Sequence, residues 1–316
     1  MMLTLFIRIY TSFLRLYPAE YRREYGPLML QAARDLSRET LRQGGYAGVL
    51  WLWLRILSDA VVTAIATHRD QQEQLTMNTY TFGELTDTGI TRPENQDSML
   101  SRVYPETDER VGLFVVSDGM GGHLDGDKAS KLAVQIVSEH FGKRGEDAGI
   151  LDALIEAVQI ANTEIRTHLP DSGATLVAVA VRGRVAHIVH IGDSRAYVVT
   201  GGRLFQLTHD HSLVQRLVDL GHLTPEEAKN HQLDNILYRA LGQNETVLAD
   251  TLMYDIPEGS RLLLCSDGLW RMVDEATILD IITGEADPQE ACDKLVTLAN
   301  HRGGPDNVTA IVVSIE

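Results

Sequence analysis

The chain has 316 residues, 44% of them hydrophobic and 23% charged, and a formal net charge of −16. That length suits one large domain plus an accessory segment with a real core. The acidic excess excludes nucleic-acid binding by the bulk of the chain, because phosphate contact needs Lys and Arg in surplus. Only two cysteines are present, Cys265 and Cys292, too few for a disulfide framework and consistent with a reducing compartment.

Charge divides the chain unevenly. Residues 1–70 hold 9 Arg, no Lys and 6 acids, whereas the remainder holds 19 basic and 38 acidic residues. The apolar stretch from Leu3 to Leu16 is broken by Arg8 and Arg15 and has no small-residue cleavage site after it, so it does not read as a secretory signal. Spaced apolar positions predict a helix over Leu28–Leu41; Gly44-Gly45 punctuates, and Val49–Ile65 resumes the helical pattern. The stretch Tyr46–Thr67 approaches bilayer-spanning length but carries Arg55 and Asp59 near its middle. Each would cost roughly 2.5–3.5 kcal/mol there, which favours a buried or interfacial helix over a span. The polar run from His68 to Gln74 has no apolar face. The expected organisation is a helical module at 1–70, a linker at 71–77 and a second domain at 78–316.

Beyond the linker the character changes. Leu113–Val116, Ala174–Val181, Val185–Ile191, Ala196–Val199, Leu262–Cys265 and Val308–Val313 are short apolar runs bounded by Gly, Asp or Arg, the pattern of strands. Gly183 marks a tight connection. Gly201-Gly202 predicts a hairpin whose primed turn needs positive φ at both residues. Helical patterns interleave at Lys128–Phe141, Ile150–His168, Ser212–Gly221 and Pro288–Asn300. Antiparallel strands with paired helices predict an α+β fold, an antiparallel β-sandwich flanked by helix pairs (αββα), preceded by the small all-α segment.

Three predicted strands run into an Asp-Gly or Gly-Asp step, at Asp118-Gly119, Gly192-Asp193 and Asp267-Gly268, and Gly304-Pro305-Asp306-Asn307 opens the last strand. Singly, each is an ordinary turn signal, which is how Asp125-Gly126 is read. Together they put several carboxylates at strand ends, where they cannot all stay ionised without cations between them. Hard oxygen ligands without a Cys or His set select Mg²⁺ or Mn²⁺.

These residues resemble a family. Thr86–Asp97, containing Arg92-Pro-Glu-Asn-Gln-Asp97, and then Ser117-Asp-Gly-Met-Gly-Gly-His123 are similar to the opening motifs of metal-dependent protein phosphatases of the 2C type in their bacterial form. Ser172-Gly-Ala-Thr175, Ile191-Gly-Asp-Ser-Arg195, Thr208-His-Asp-His-Ser212, Ser266-Asp-Gly-Leu269 and Gly304-Pro-Asp-Asn307 follow in the family's order, so the resemblance covers residues 78–316. It implies a serine/threonine phosphatase acting on phosphoproteins, substrates of a serine/threonine kinase, in the cytoplasm. It implies two or three Mn²⁺ or Mg²⁺ ions, with Asp118 bridging two of them, the Gly119 carbonyl on one, and Asp267 and Asp306 on the other. Asp193, with Asp267, would hold a third. Water between the metals would attack phosphorus, Arg92 would take the phosphate oxygens, and Asp97 would orient metal-bound water. Uncatalysed phosphomonoester hydrolysis is slow enough that enzymes supply up to about 10²¹-fold, roughly 28 kcal/mol; one general acid gives only about 10²–10⁴. Met120 stands where animal members carry a His thought to protonate the leaving group, which leaves the general acid open, and Gln96 replaces a Glu. His123 reads as structural.

Three rival readings bear on the same residues. Cys265 and Arg271 have cysteine-phosphatase spacing, but Asp267 would lie inside that loop and repel the phosphate dianion. His209, Asp210 and His211 alternate faces on an extended chain and make a poor metal set. A phosphoprotein-binding module with little turnover would be favoured by the loss of a ligand Asp, and none is missing. The segment Ser212–Leu241 reads as a flap over the site. In the prefix, Phe13–Gly26 resembles the soluble prefix of macrolide-exporter-type permeases, and Trp51 and Trp53 beside Arg55 suit contact with a membrane surface or a membrane partner.

Overall fold

A computed structural model describes residues 29–33, 36–37, 40, 52–53, 80–105, 110–121, 125–145, 148–228 and 231–315. The chain divides into two compact units, Met1–Met77 and Asn78–Glu316. In the first, every described residue is helical, within the two stretches expected to be helices. The rest of those helices, the 71–77 linker, the 13–26 stretch and His123 lie outside the described residues. Among the described residues no helix is long and apolar enough to cross a membrane.

The second unit contains β1 (Tyr80–Asp87), β2 (Asp97–Pro105), β3 (Arg110–Gly121), α1 (Gly126–Lys143), α2 (Ile150–His168), β4 (Ser172–Ala174), β5 (Leu176–Arg182), β6 (Val185–Ile191), β7 (Arg195–Thr200) and β8 (Arg203–Gln206). After these come α3 (Leu213–Asp219), α4 (Pro225–Ala228), β9 (Asp250–Asp255), β10 (Arg261–Cys265), α5 (Asp267–Trp270), α6 (Glu275–Gly284), α7 (Pro288–His301) and β11 (Val308–Ile315). One sheet has the order β1-β11-β10-β7-β8 and the other β2-β3-β5-β6-β9, with β4 on β3, and all the pairs are antiparallel.

The central strands are apolar throughout because both their faces are buried. Along β3, Leu113 and Val115 join the core under α1 and α2, while Phe114 and Val116 join the core between the sheets. Along β10, Leu262 and Leu264 face between the sheets; Leu263 and Cys265 pack with Ile278, Ile282 and Leu295 of α6 and α7. The result is the expected αββα sandwich. The Gly201-Gly202 hairpin also forms as expected, with φ of 55° and 70° and Thr200 paired to Arg203.

Several elements differ from the sequence reading. β1, β2 and β9 were not expected as strands, because polar residues interrupt their apolar positions; β9 is an exposed edge. α6 has a β-branched sequence, EATILDIITG, but Asp274 caps it by accepting from the Thr277 N–H. The single run expected over 174–181 is split into β4 and β5 at Thr175, whose hydroxyl accepts from the Asp118 N–H at 2.8 Å. That break serves the site.

Candidate active site

The antiparallel register of β2 and β3 sets Asp97 directly across from Asp118. Thr175 holds the Asp118 backbone from the other side. The Asp118 N–H donates to Thr175 Oγ1 at 2.8 Å, its carbonyl accepts from the Thr175 N–H at 2.8 Å, and the Ser117 hydroxyl donates to the Thr175 carbonyl at 2.6 Å. Gly119 has to be glycine, since a Cβ there would come within 2.0 Å of the Gly126 carbonyl oxygen. That contact gives the Asp125-Gly126 step a packing role.

Asp267 opens α5 at the end of β10, on the adjoining sheet. The next residue, Gly268, lies so close to the Asp306 loop that a Cβ would meet the Asn307 carbonyl oxygen at 2.0 Å. Ser266, just before Asp267, and Thr309 of β11 each donate a hydroxyl hydrogen to Asp97 Oδ2, both at 2.6 Å. Asp97 therefore ties the two sheets together through one oxygen, leaving Oδ1 buried and without a partner; Asp267 Oδ1 is likewise buried and unpartnered. Asp193 follows β6 after Gly192, and its carbonyl accepts from the Trp270 indole N–H at 3.0 Å.

Asn307 is the organiser that sequence reasoning missed, although its motif was in view. Its Oδ1 accepts from the Gln96 N–H at 2.8 Å; its Nδ2 donates to the Thr88 and Glu94 carbonyls at 2.8 and 2.9 Å. One buried amide thus clamps the loop bearing Arg92 to the loop bearing Asp306. Arg92 Nη2 donates to Asp306 Oδ2 at 2.7 Å.

Electrostatics mark the cluster as short of cations. Burial, and then neighbouring carboxylates, push Asp97 up to about 7 and Asp118 well above the ordinary carboxylate range. Burial likewise raises Asp267, and with Asp267 and Asp210 nearby it raises Asp193 to about 8.

A model of the protein phosphatase 2C family matches residues 92–298. The serine/threonine phosphatase Stp of Listeria innocua is 38% identical over 240 residues, covering 72% of this chain and 93% of its own. The chain belongs to the protein phosphatase 2C family. Its activity class is that of a serine/threonine protein phosphatase. Among solved structures, the S. agalactiae serine/threonine phosphatase has a TM-score of 0.70 at 36% identity, covering 75% of this chain and 100% of that one. The catalytic domain of the phosphatase PstP, solved with 2 manganese ions, has a TM-score of 0.65 at 35% identity, covering 75% and 99%. Dependence on divalent metal belongs to this family, and phosphoproteins are its substrates.

The residues of the phosphatase fit such ions. Buried carboxylate oxygens without donors, in a cluster whose ionisation is opposed by its own members, are what a hard cation relieves. The side chains are not already closed into a ligand cage: among the described residues no three His, Cys, Asp or Glu are so placed. Arginines hold part of the cluster instead.

The rival chemistries lose their geometry. Cys265 is buried in the core beneath α6 and α7, and burial pushes its thiol up, away from a nucleophilic thiolate. His209 pairs with Asp219 at 2.8 Å, Asp210 holds Arg195 at 2.7 Å, and His211 Nδ1 accepts from the Gly192 N–H at 3.0 Å. These three side chains serve three different neighbours.

The raised carboxyls carry a prediction for the phosphatase stripped of cations. Below about pH 4, both folded and unfolded chains hold these protons; between there and about pH 8 only the folded chain does, so stability falls as pH rises. The stripped phosphatase should melt at a lower temperature at pH 8 than at pH 6, and saturating Mn²⁺ should raise the melting temperature more at pH 8. An equal gain at both pH values would mean that cations do not bind through these groups.

Proposed function

We propose that the phosphatase hydrolyses phosphoserine and phosphothreonine at the cluster formed by Asp97, Asp118, Asp267 and Asp306, with two Mn²⁺ or Mg²⁺ ions held there. The observation that carries this reading is the pair of buried, donorless oxygens on Asp97 and Asp267 beside Asp118. Asp118 would be shared between the ions, with the Gly119 carbonyl, Asp267 and Asp306 completing their protein ligands. When bound, the ions supply an activated water and neutralise charge on the phosphoryl group.

The chain's own residues do the rest. Asp97, fixed by Ser266 and Thr309, presents Oδ1 to orient water. Arg92 is half-exposed and exchanges its bond to Asp306 for the oxygens of an incoming phosphate, a pairing its planar fork suits. Asn307 keeps Arg92 and Asp306 on neighbouring loops so that this exchange is a short movement. The binding-module alternative has no observation in its favour.

The test is phosphate release from matched phosphothreonine, phosphoserine and phosphotyrosine peptides with Mn²⁺. The first two should be hydrolysed at least about 100-fold faster, a difference in transition-state stabilisation of about 2.7 kcal/mol. Preference for phosphotyrosine would overturn the substrate class.

For the remainder of the chain, we infer a phosphatase domain at 78–316, a linker at 71–77 and a helical module at 1–70. The basic balance of residues 1–70 supports contact with an anionic membrane surface or a membrane partner, on the cytoplasmic side where a kinase's products would be found. A form beginning at Asn78 should be soluble and keep metal-dependent activity, whereas the full chain should float with anionic liposomes or co-purify with a membrane partner. An insoluble or inactive shortened form would make the prefix part of the phosphatase core.

A further inference from the structure

Arg271 follows the last residue of α5, four positions after Asp267, and its N–H donates to the Asp267 carbonyl at 3.0 Å. That offset puts the two side chains on one face of the turn. Its Nε lies 2.9 Å from Asp267 Oδ2, within ion-pair range though off the hydrogen-bond direction, and its Nη2 lies 3.5 Å from Asp193 Oδ2. The same guanidinium reaches the segment Ser212–Leu241. Nη1 donates to Asn235 Oδ1 at 2.8 Å and lies 3.2 Å from Asp234 Oδ2; Nη2 donates to the Asp234 carbonyl at 3.0 Å.

This is no free surface arginine. Its side chain is 22% exposed and lies 5.1 Å from the Trp270 ring centroid. Trp270 is itself fixed, by its indole bond to Asp193 and by the Arg195 guanidinium 3.5 Å over its ring. Charge points the same way. Six carboxylates (Asp97, Asp118, Asp193, Asp234, Asp267 and Asp306) meet two guanidiniums, Arg92 and Arg271. Two divalent cations balance the remaining negative charge, and a third would leave an excess of two with Arg271 in place.

We propose that Arg271 is the resident cation of the Asp193–Asp267 pair, standing where a third divalent ion would sit, and that it ties the Ser212–Leu241 segment to the metal centre through Asp234 and Asn235. It is a positioning residue, acting through the carboxylates and the segment rather than on the reacting atoms. The inference rests on the reading of Asp118, Asp267 and Asp306 as ligands of two ions. It replaces the expected third ion at Asp193 with a side chain of the phosphatase itself.

The experiment counts Mn²⁺ bound per full-length chain by native mass spectrometry and follows amide exchange across 231–238 at saturating Mn²⁺. The wild type should bind two ions, Arg271→Gln three, and Arg271→Gln combined with Asp193→Asn two again. Exchange across 231–238 should quicken about 10-fold in Arg271→Gln, as local protection is lost. Arg271→Lys keeps the charge but not the fork, so it should bind two ions and still exchange faster. A wild type that binds three ions, and loses one in Asp193→Asn, would overturn the proposal whether or not the Arg271 variants fold. So would an Arg271→Gln protein with two ions and wild-type exchange. A wild type that binds no Mn²⁺ would instead sink the two-ion reading beneath it.

Discussion

Treatment with a strong chelator should abolish phosphopeptide hydrolysis, and added Mn²⁺ or Mg²⁺ should restore it, while thiol alkylation under native conditions should leave it unchanged. The expectation follows from where the negative charge sits. Asp97, Asp118, Asp193 and Asp267 are buried and mutually repelling, and two of their oxygens have no hydrogen-bond donor. Without cations the centre favours protonated carboxyls, which cannot activate water, and any that ionise repel an incoming phosphate dianion. Alkylation should do nothing because Cys265 and Cys292 are both buried, with their thiols pushed up by burial. Activity that survived exhaustive chelation but died on alkylation would return the chemistry to Cys265 and Arg271.

Replacing Asp118 or Asp267 with Ala should each lower kcat by about 10³ or more, since loss of one cation removes several kcal/mol of transition-state stabilisation. The fold should not fail with the activity. Asp118→Asn removes a buried carboxylate whose ionisation its neighbours oppose, so the chelator-treated variant should melt no lower than the chelator-treated wild type. Arg92→Ala should behave differently, chiefly raising KM, because its charge meets the ground-state dianion as well as the transition state. Near-normal turnover in Asp267→Ala would sink the two-ion centre. A collapse of melting temperature that tracked activity across the series would reduce these residues to structural ones.

The layered fold and the candidate ligands could both be read from the residues alone. Apolar strands such as Leu113–Val116 and Leu262–Cys265 read clearly because both of their faces are buried, and that burial is written in composition alone. Asp118, Asp193 and Asp267 were legible because each lies at a strand end beside glycine, and Asp306 because Gly304-Pro305 leads into the last strand; the glycines at 119 and 268 are there because backbone from another segment passes too close for any side chain. Polar or exposed strands were not legible: β2 and β9 owe their extended form to the neighbours they pair with, Asp97 against Asp118 among them.

How the carboxylates are held emerges from contacts between distant segments. Ser266 and Thr309 are separated in sequence from Asp97 by far more than any local pattern spans, yet both bond the same oxygen. Asn307 reads as a turn residue until its amide is seen joining two loops. Arg271 looked like a coincidence of spacing after Cys265, and its meaning changed once folding set it between Asp267, Asp193 and the Asp234–Asn235 turn. Local periodicity reports which face of an element is buried. It carries no record of which distant side chain will meet that face, because that choice is made by the pairing of strands and the packing of layers.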